Sequence, residues 1–126
     1  MLKQSEKDLH SQICEYIKIK YPNVLFNSDM AGVKLTIGQA THAKTLRSHN
    51  GFPDLVIYEP KKNYSGLFLE LKAEGTKIHK KDGTFVSEHL REQDYVMQKL
   101  REKGFYAQFS VGFDATRNII DWYLGK

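Results

Sequence analysis

Two apolar runs near the middle of the chain alternate with polar positions and predict β-strands at residues 55–58 and 66–72. A polar connection at residues 59–65, which contains Pro60 and Asn63, predicts a turn between them. Successive side chains of a strand point to opposite faces. The leucines of the second run therefore share one face, and its charged residues share the other. This pattern predicts a two-stranded unit with one core-facing side.

Charged side chains gather at one end of this predicted hairpin. Asp54 opens the first strand, and Glu70 and Lys72 close the second on a common face. If the two strands pair as a hairpin, both carboxylates and the ammonium meet at one end of the sheet. One interpretation is a salt-bridge network at the sheet edge. The other is a metal site, because crowded carboxylates repel each other unless a cation lies between them. Carboxylate oxygens, together with a backbone carbonyl such as that of Leu71, suit Mg²⁺ or Mn²⁺.

The N-terminal segment predicts an α-helix that begins at the N-cap Ser5 and ends at Tyr21, before Pro22. Its apolar stripe recurs at helical spacing and consists of Leu9, Ile13, Tyr16 and Ile17. Glu6 lies on the same face as this stripe. Two roles are open for Glu6: a first-turn acid favoured by the helix dipole, or an accessory ligand of a metal or water.

A second amphipathic helix is predicted to begin after Ser87, which provides the N-cap, and to stop at Gly104. Its apolar stripe consists of Leu90, Met97 and Leu100. Gln93 falls on this stripe, where a buried amide needs hydrogen-bond partners. The partner is either a nearby backbone group or, in an active site, a water molecule or Lys72.

The remaining apolar segments complete the predicted fold. Residues 24–28 and 105–111 predict strands, and Asp114 is expected to cap a last helix. With the elements above, these segments predict an α/β fold with a small mixed central sheet flanked by helices. The length predicts one domain over residues 1–126.

Positive charge is concentrated in two stretches. Residues 30–53 contain no acidic residue, and Asp82-Gly83 predicts the turn of a second, basic hairpin. A stretch without acids can follow a phosphate backbone, although solvated loops with ordinary lysines are the alternative. The first stretch leads directly into Asp54, which favours contact with a nucleic acid. The candidate contact residues are Lys34, Lys44, Arg47, Lys77, Lys80 and Lys81.

Composition narrows the function classes. The apolar content of 40% and the charged content of 27% are typical of a globular protein, and the net charge of +4 is compatible with a polyanionic partner without requiring one. Cys14 is the only cysteine, which excludes an internal disulfide and a cysteine-rich zinc site. The N-terminus lacks an apolar signal region, and no apolar run is long enough to cross a membrane. We therefore expect a cytoplasmic protein with no membrane partner.

Residues 51–54 (Gly-Phe-Pro-Asp), residues 70–72 (Glu-Leu-Lys) and Gln93 resemble the signature of the PD-(D/E)xK nuclease superfamily. The likeness is to its virus-type replication-repair nuclease (VRR-NUC) branch, in the stand-alone phage or bacterial form, and it extends over most of the chain. Residues 73–92 form a longer connection than the branch usually has. The resemblance implies a restriction-endonuclease-like α-β-β-β-α-β core. It also implies a catalytic set made of Asp54, Glu70, Lys72 and Gln93, and metal ligands from Asp54, Glu70, the Leu71 carbonyl and Glu6.

The hypothesis from the sequence is therefore a Mg²⁺- or Mn²⁺-dependent endonuclease that hydrolyses DNA phosphodiester bonds. By the same resemblance, the enzyme is expected to act as a homodimer on branched DNA, such as a four-way junction in DNA repair. Two alternatives stay open. One is a nucleic-acid-binding module that keeps the nuclease fold without catalysis, and the other is a phage accessory protein whose charged cluster serves only structure.

Overall fold

The computed structural model of the protein describes residues 5–29 and 36–125. Within these ranges the chain forms four helices and four strands. In chain order they are α1 (Glu6–Lys20), β1 (Phe26–Ser28), α2 (Ile37–Thr45), β2 (Leu55–Ile57), β3 (Leu67–Lys72), α3 (Glu88–Glu102), β4 (Tyr106–Val111) and α4 (Phe113–Leu124). No helix among the described residues combines the length and apolarity that a membrane crossing requires.

The four strands form one mixed sheet in the order β1-β2-β3-β4. β1 pairs antiparallel with β2, and β2 pairs antiparallel with β3, with Leu55 opposite Leu69. β4 pairs parallel with β3, because α3 crosses from the end of one strand to the start of the next. The small mixed sheet predicted from the sequence is confirmed. The short helix α2 is an addition to the expected α-β-β-β-α-β order.

Helices cover both faces of the sheet. The leucines of β3 (Leu67, Leu69 and Leu71) are fully buried in one apolar cluster with side chains of α1 and α4. The alternation along β3 turns Phe68 and Glu70 to the other face, where Glu70 meets Gln93 of α3. The architecture is thus three layers, with the charged end of β3 lying under α3.

Helix termini follow local chemistry. The side chain of Ser5 accepts from the Asp8 N–H, and that of Ser87 accepts from the Leu90 N–H, so both predicted N-caps are confirmed. The prediction that Asp114 caps the last helix was wrong. Gly112 occupies the N-cap of α4 without a side-chain cap, and Asp114 lies inside the first turn, where an acid favours the helix dipole.

Candidate active site

The loop before β2 places Asp54 through two constrained residues. Gly51 has a φ of +86°, and a Cβ added there would lie 3.2 Å from the backbone nitrogen of Gln93. Only glycine combines this backbone conformation with such a close approach to α3. Pro53, which is buried, follows and restricts the backbone at the entry to Asp54. The Asp54 carbonyl then accepts from the Asp29 N–H at 2.6 Å, which ties the start of β2 to the residue after β1.

The Asp54 carboxylate is buried, with 8% of the residue exposed, and it contacts two other elements. Its Oδ1 accepts from the backbone N–H of Leu71 at 3.0 Å, so the Leu71 peptide lies at the site. Its Oδ2 lies 3.2 Å from Nε2 of His10, on α1. The other ring nitrogen of His10, Nδ1, lies 2.5 Å from the hydroxyl of Ser28. The predicted approach of Asp54 to the end of β3 is therefore observed, and α1 and β1 join it.

Glu70 lies beside Asp54 and is the most buried acid of the site, at 4% exposure. Its Oε1 accepts from the side-chain amide of Gln93 at 2.6 Å. Its Oε2 is buried and no described residue donates a hydrogen bond to it, while the Asp54 carboxyl lies close enough to share a proton with Glu70. The sequence predicts a backbone group, a water molecule or Lys72 as the hydrogen-bond partner of Gln93. Instead, Gln93 donates to a carboxylate, because α3 packs directly over the face of β3 that presents Glu70.

The electrostatics of Glu70 reflect this crowding. Burial and the neighbouring Asp54 carboxylate raise the pKa of Glu70 from an ordinary value of 4.5 to about 9. The Lys72 ammonium opposes the rise, and the negative charge of Glu6 adds to it. In the absence of a cation, the site therefore favours a protonated Glu70 at neutral pH. A bound cation would reverse this preference, because it stabilises the carboxylate form.

Two further predicted site residues act on Glu70 through their charge. Lys72 is half-buried on the same face of β3, and Glu6 is exposed in the first turn of α1. Both influence the charge on Glu70, as its pKa records. Glu6 precedes His10 by one helical turn and so lies on the same side of α1, while its role as a metal ligand stays a prediction.

The residues present fit a hard divalent cation that is held only partly by protein. Within the described ranges, no three His, Cys, Asp or Glu side chains cluster as ready metal ligands. Asp54 and Glu70 supply two carboxylates at the Leu71 peptide, and no described residue donates a hydrogen bond to the buried Oε2 of Glu70. Mg²⁺ commonly binds one or two carboxylates and completes its shell with water and substrate phosphate. The donor set thus suits such an ion better than zinc.

The predicted nucleic-acid contacts divide into three groups. Lys44 and Arg47 are exposed at the C-terminal end of α2 and line a cleft together with Gly51, His89 and the acidic Glu92. Lys34 lies outside the described residues. The remaining three are the exposed hairpin residues Lys77, Lys80 and Lys81.

The basic hairpin is anchored near the site by an aromatic contact. The turn at Asp82-Gly83 is observed, with one bridge between His79 and Phe85 rather than two full strands. The ring of Phe85 lies 6.3 Å from that of Phe109, centroid to centroid. Phe109 pairs with Glu70 across the parallel β3–β4 ladder, so the two share a face of the sheet. The hairpin lysines therefore extend from the face that contains the candidate site.

His10 is a residue of the site that the sequence pattern did not predict. Its signal was present, since His10 lies one helical turn after Glu6 and three residues before the core residue Ile13. A histidine on an apolar face is most simply a core residue. Only the packing of α1 against the sheet brings it to Asp54, 44 residues away in sequence.

Comparison with known proteins bears on the fold. No protein-family model and no curated protein matches the chain. A solved structure of a VRR_NUC domain protein superposes with a TM-score of 0.67 at 18% sequence identity. The match covers 98% of this chain and 91% of that one. The chain therefore has the fold of that protein, which confirms the nuclease-like α/β architecture expected from the resemblance.

Proposed function

We propose that this protein is a divalent-metal-dependent endonuclease that hydrolyses DNA phosphodiester bonds. The proposal rests above all on one observation. Two buried carboxylates, Asp54 and Glu70, adjoin each other, and no described residue donates a hydrogen bond to the buried Oε2 of Glu70. Burying such a group costs free energy unless a cation offsets it. The fold shared with a VRR_NUC domain protein agrees with this chemistry.

In this proposal Asp54, Glu70 and the Leu71 carbonyl would hold Mg²⁺ or Mn²⁺, and Glu6 would be an accessory ligand of the metal or of a water molecule. The ion would polarise the scissile phosphate and stabilise the leaving oxygen. The half-buried Lys72 would orient the attacking water and offset negative charge on the phosphate. The reaction needs no covalent enzyme intermediate.

Gln93 and His10 are positioning residues in this scheme. Gln93 occupies Glu70 Oε1 at 2.6 Å, which leaves Oε2 for the ion. His10 holds Asp54 Oδ2 at 3.2 Å and is itself held by Ser28. Such partners fix the direction of ligand oxygens. Their removal commonly lowers metal affinity or activity by about 10–100-fold.

DNA would approach over basic surfaces on two sides of the site. Lys44 and Arg47 contribute from α2, and the lysines of the anchored hairpin contribute from the β4 side. Phosphate contacts of this kind give affinity that falls steeply with salt and carry no sequence information. The formal net charge of +4 has the appropriate sign for this partner.

A homodimer acting on branched DNA is the finer part of the proposal. Paired cuts in a four-way junction need two active centres related by a twofold axis, which a symmetric dimer provides. Light scattering at micromolar concentration would test this, and a strict monomer would contradict it.

The decisive experiment measures cleavage of labelled duplex, single-stranded, flap and four-way-junction DNA with Mg²⁺ or Mn²⁺. Asp54→Asn and Lys72→Met are expected to abolish cutting while circular dichroism stays native. Asp114→Asn is the matched control, because Asp114 is an exposed acid on α4 whose ion pair with Arg117 lies at the surface. Salt-sensitive binding without cutting in either metal would instead support a non-catalytic binding module. Neither binding nor cutting would support an interaction protein.

A further inference from the structure

A small apolar cleft of about 130 Å³ lies next to the candidate site, between the loop before β2 and the C-terminal half of α3. Its lining includes the apolar side chains of Phe52, Val96 and Leu100 and the two lysines Lys99 and Lys103. Ser48 and His49 complete the lining, so no acidic side chain belongs to it. A lining with apolar side chains, two lysines and no acid suits a flat, uncharged ring attached to an anion.

The cleft is continuous with the candidate site along the chain. Phe52 precedes Asp54 by two residues, so their Cα atoms lie within about 7 Å of each other. Phe52 is 36% exposed, which leaves part of its ring open to a ligand. A group bound against Phe52 would therefore belong to the part of a substrate close to the bond that is cut.

The neighbouring surface is less favourable for a phosphate backbone. The adjoining cleft shares His49 and is lined by Glu88 and Glu92 as well as Arg91 and Tyr95. Lys99 also pairs with Glu102 at 3.7 Å and lies 5.4 Å from the ring of Tyr95. The small apolar cleft, called the Phe52 cleft below, is thus a local site without acidic lining residues and not part of a uniformly basic groove.

We propose that the Phe52 cleft receives one unpaired base of the DNA substrate, with Lys99 and Lys103 at the adjoining phosphates. This proposal rests on the proposed nuclease function and specifies its substrate as DNA with an unpaired nucleotide beside the cut. The faces of bases in a duplex are stacked on their neighbours and do not present a free ring. An unpaired base does, and it stacks on aromatic side chains without regard to sequence.

The test uses a single-stranded oligonucleotide that contains 2-aminopurine, whose fluorescence falls when the base stacks. Binding is measured in Ca²⁺, and the oligonucleotide is checked afterwards to be uncut. The protein is expected to quench the unpaired probe and to leave the same probe in duplex DNA unchanged. Phe52→Leu keeps apolar volume but removes the ring, so it should abolish quenching and weaken single-strand binding by roughly ten-fold. Phe52→Tyr keeps the ring and should keep quenching.

Tyr58→Leu is the control variant. Tyr58 is an exposed aromatic residue at the opposite end of β2, so its loss should change neither quenching nor affinity. Unchanged quenching in Phe52→Leu would overturn the proposal. Self-association that Phe52→Leu abolishes, without quenching, would also overturn it and assign the cleft to a second copy of the chain.

The outcomes separate this inference from the proposed function. If the unmutated protein cuts DNA in a metal-dependent way but does not quench the probe, base binding in the Phe52 cleft is refuted and the nuclease function stands. If quenching depends on Phe52 but no DNA is cut in Mg²⁺ or Mn²⁺, the cleft stands as a base-binding site and the proposed nuclease function is refuted.

Discussion

Two clusters of polar side chains connect α1 to the rest of the molecule. Each contains a buried or partly buried carboxylate, but only one of them surrounds that carboxylate with hydrogen-bond donors. At one end of α1, His10 reaches the Asp54–Glu70 site. At the other end, Tyr16 and Lys20 reach Asp121 of α4. The comparison separates a carboxylate whose surroundings satisfy it from one whose surroundings leave it incomplete.

Asp121 is surrounded by donors. The Tyr16 hydroxyl donates to it at 2.7 Å, the Tyr21 hydroxyl donates at 2.6 Å, and the Lys20 ammonium lies at 3.2 Å. Partial burial acts to raise the pKa of Asp121, but these donors outweigh it and hold the pKa below its usual range. This cluster stabilises the charged form of Asp121 and joins α1 to α4.

Glu70 has the opposite environment. Burial and the adjacent Asp54 raise its pKa to about 9, and no described residue donates a hydrogen bond to its Oε2. Such an arrangement lowers the stability of the fold unless another group, such as a bound cation, compensates the buried carboxylates. The contrast shows how to distinguish the two kinds of cluster: complete hydrogen bonding indicates a structural role, and a buried, incompletely bonded carboxylate indicates a binding site.

The largest expected effect concerns Glu70→Gln. This change keeps the shape of the side chain but removes a charge that would hold the metal, so cutting should fall by about 1,000-fold, the order of several kcal/mol of lost electrostatic stabilisation. Folding should survive, because glutamine resembles the neutral, protonated form of Glu70 that the site favours without a cation. Cleavage kinetics and thermal unfolding of the same samples provide the measurement. Full activity of the variant would remove Glu70 from the proposed site.

The second prediction concerns the pH dependence of stability without metal. The pKa of Glu70 is raised in the folded state, so the folded protein holds a proton that the unfolded chain releases above about pH 4.5. Its contribution to stability is therefore complete below 4.5 and is lost as pH rises to about 9. The free energy of unfolding in EDTA should fall by up to about 1.4 kcal/mol for each pH unit in this window.

Glu70→Gln is the control for this pH dependence, and urea unfolding at several pH values is the measurement. The slope between the two pKa values should flatten in the variant. Excess Mg²⁺ should also reduce the slope in the unmutated protein. A slope that is identical in both proteins would contradict the assignment to Glu70.

The third prediction tests the satisfied cluster. Asp121→Ala removes the acceptor of two tyrosine hydroxyls and should lower the free energy of unfolding by about 2 kcal/mol at neutral pH. Because the pKa of Asp121 is lowered in the folded state, the difference from the unmutated protein should shrink as pH falls below the ordinary value of 3.8. Cutting at temperatures where both proteins are folded should stay unchanged. A large loss of activity in the folded variant would contradict the purely structural role of Asp121.

The smallest expected effect concerns His10→Asn, which removes the imidazole beside Asp54. If His10 only orients the Asp54 carboxylate, cutting should fall by about ten-fold and the concentration of Mg²⁺ needed for half-maximal activity should rise. Ser28→Ala, which removes the hydroxyl beside His10 Nδ1, should produce a weaker change in the same direction. Loss of stability with unchanged metal dependence would assign His10 to packing alone.

Much of the fold could be predicted because its signals are local. The N-caps Ser5 and Ser87 act within one helical turn, and the alternation in β3 acts within six residues. The approach of Asp54 to the end of β3 was also predictable, because a short connection leaves two antiparallel strands few registers. Single-domain organisation and the roles of the basic residues remain predictions.

The sequence by itself determined most of the helices and strands, although not α2, and the meeting of two carboxylates at one end of a sheet. Only the tertiary structure decided the partners: Gln93 donates to Glu70, His10 meets Asp54, and Tyr16 reaches Asp121 across 105 residues. The physical reason is that periodicity specifies the face on which a side chain lies. Its hydrogen-bond partner depends on how two separately formed elements pack, and that packing is decided by the whole core.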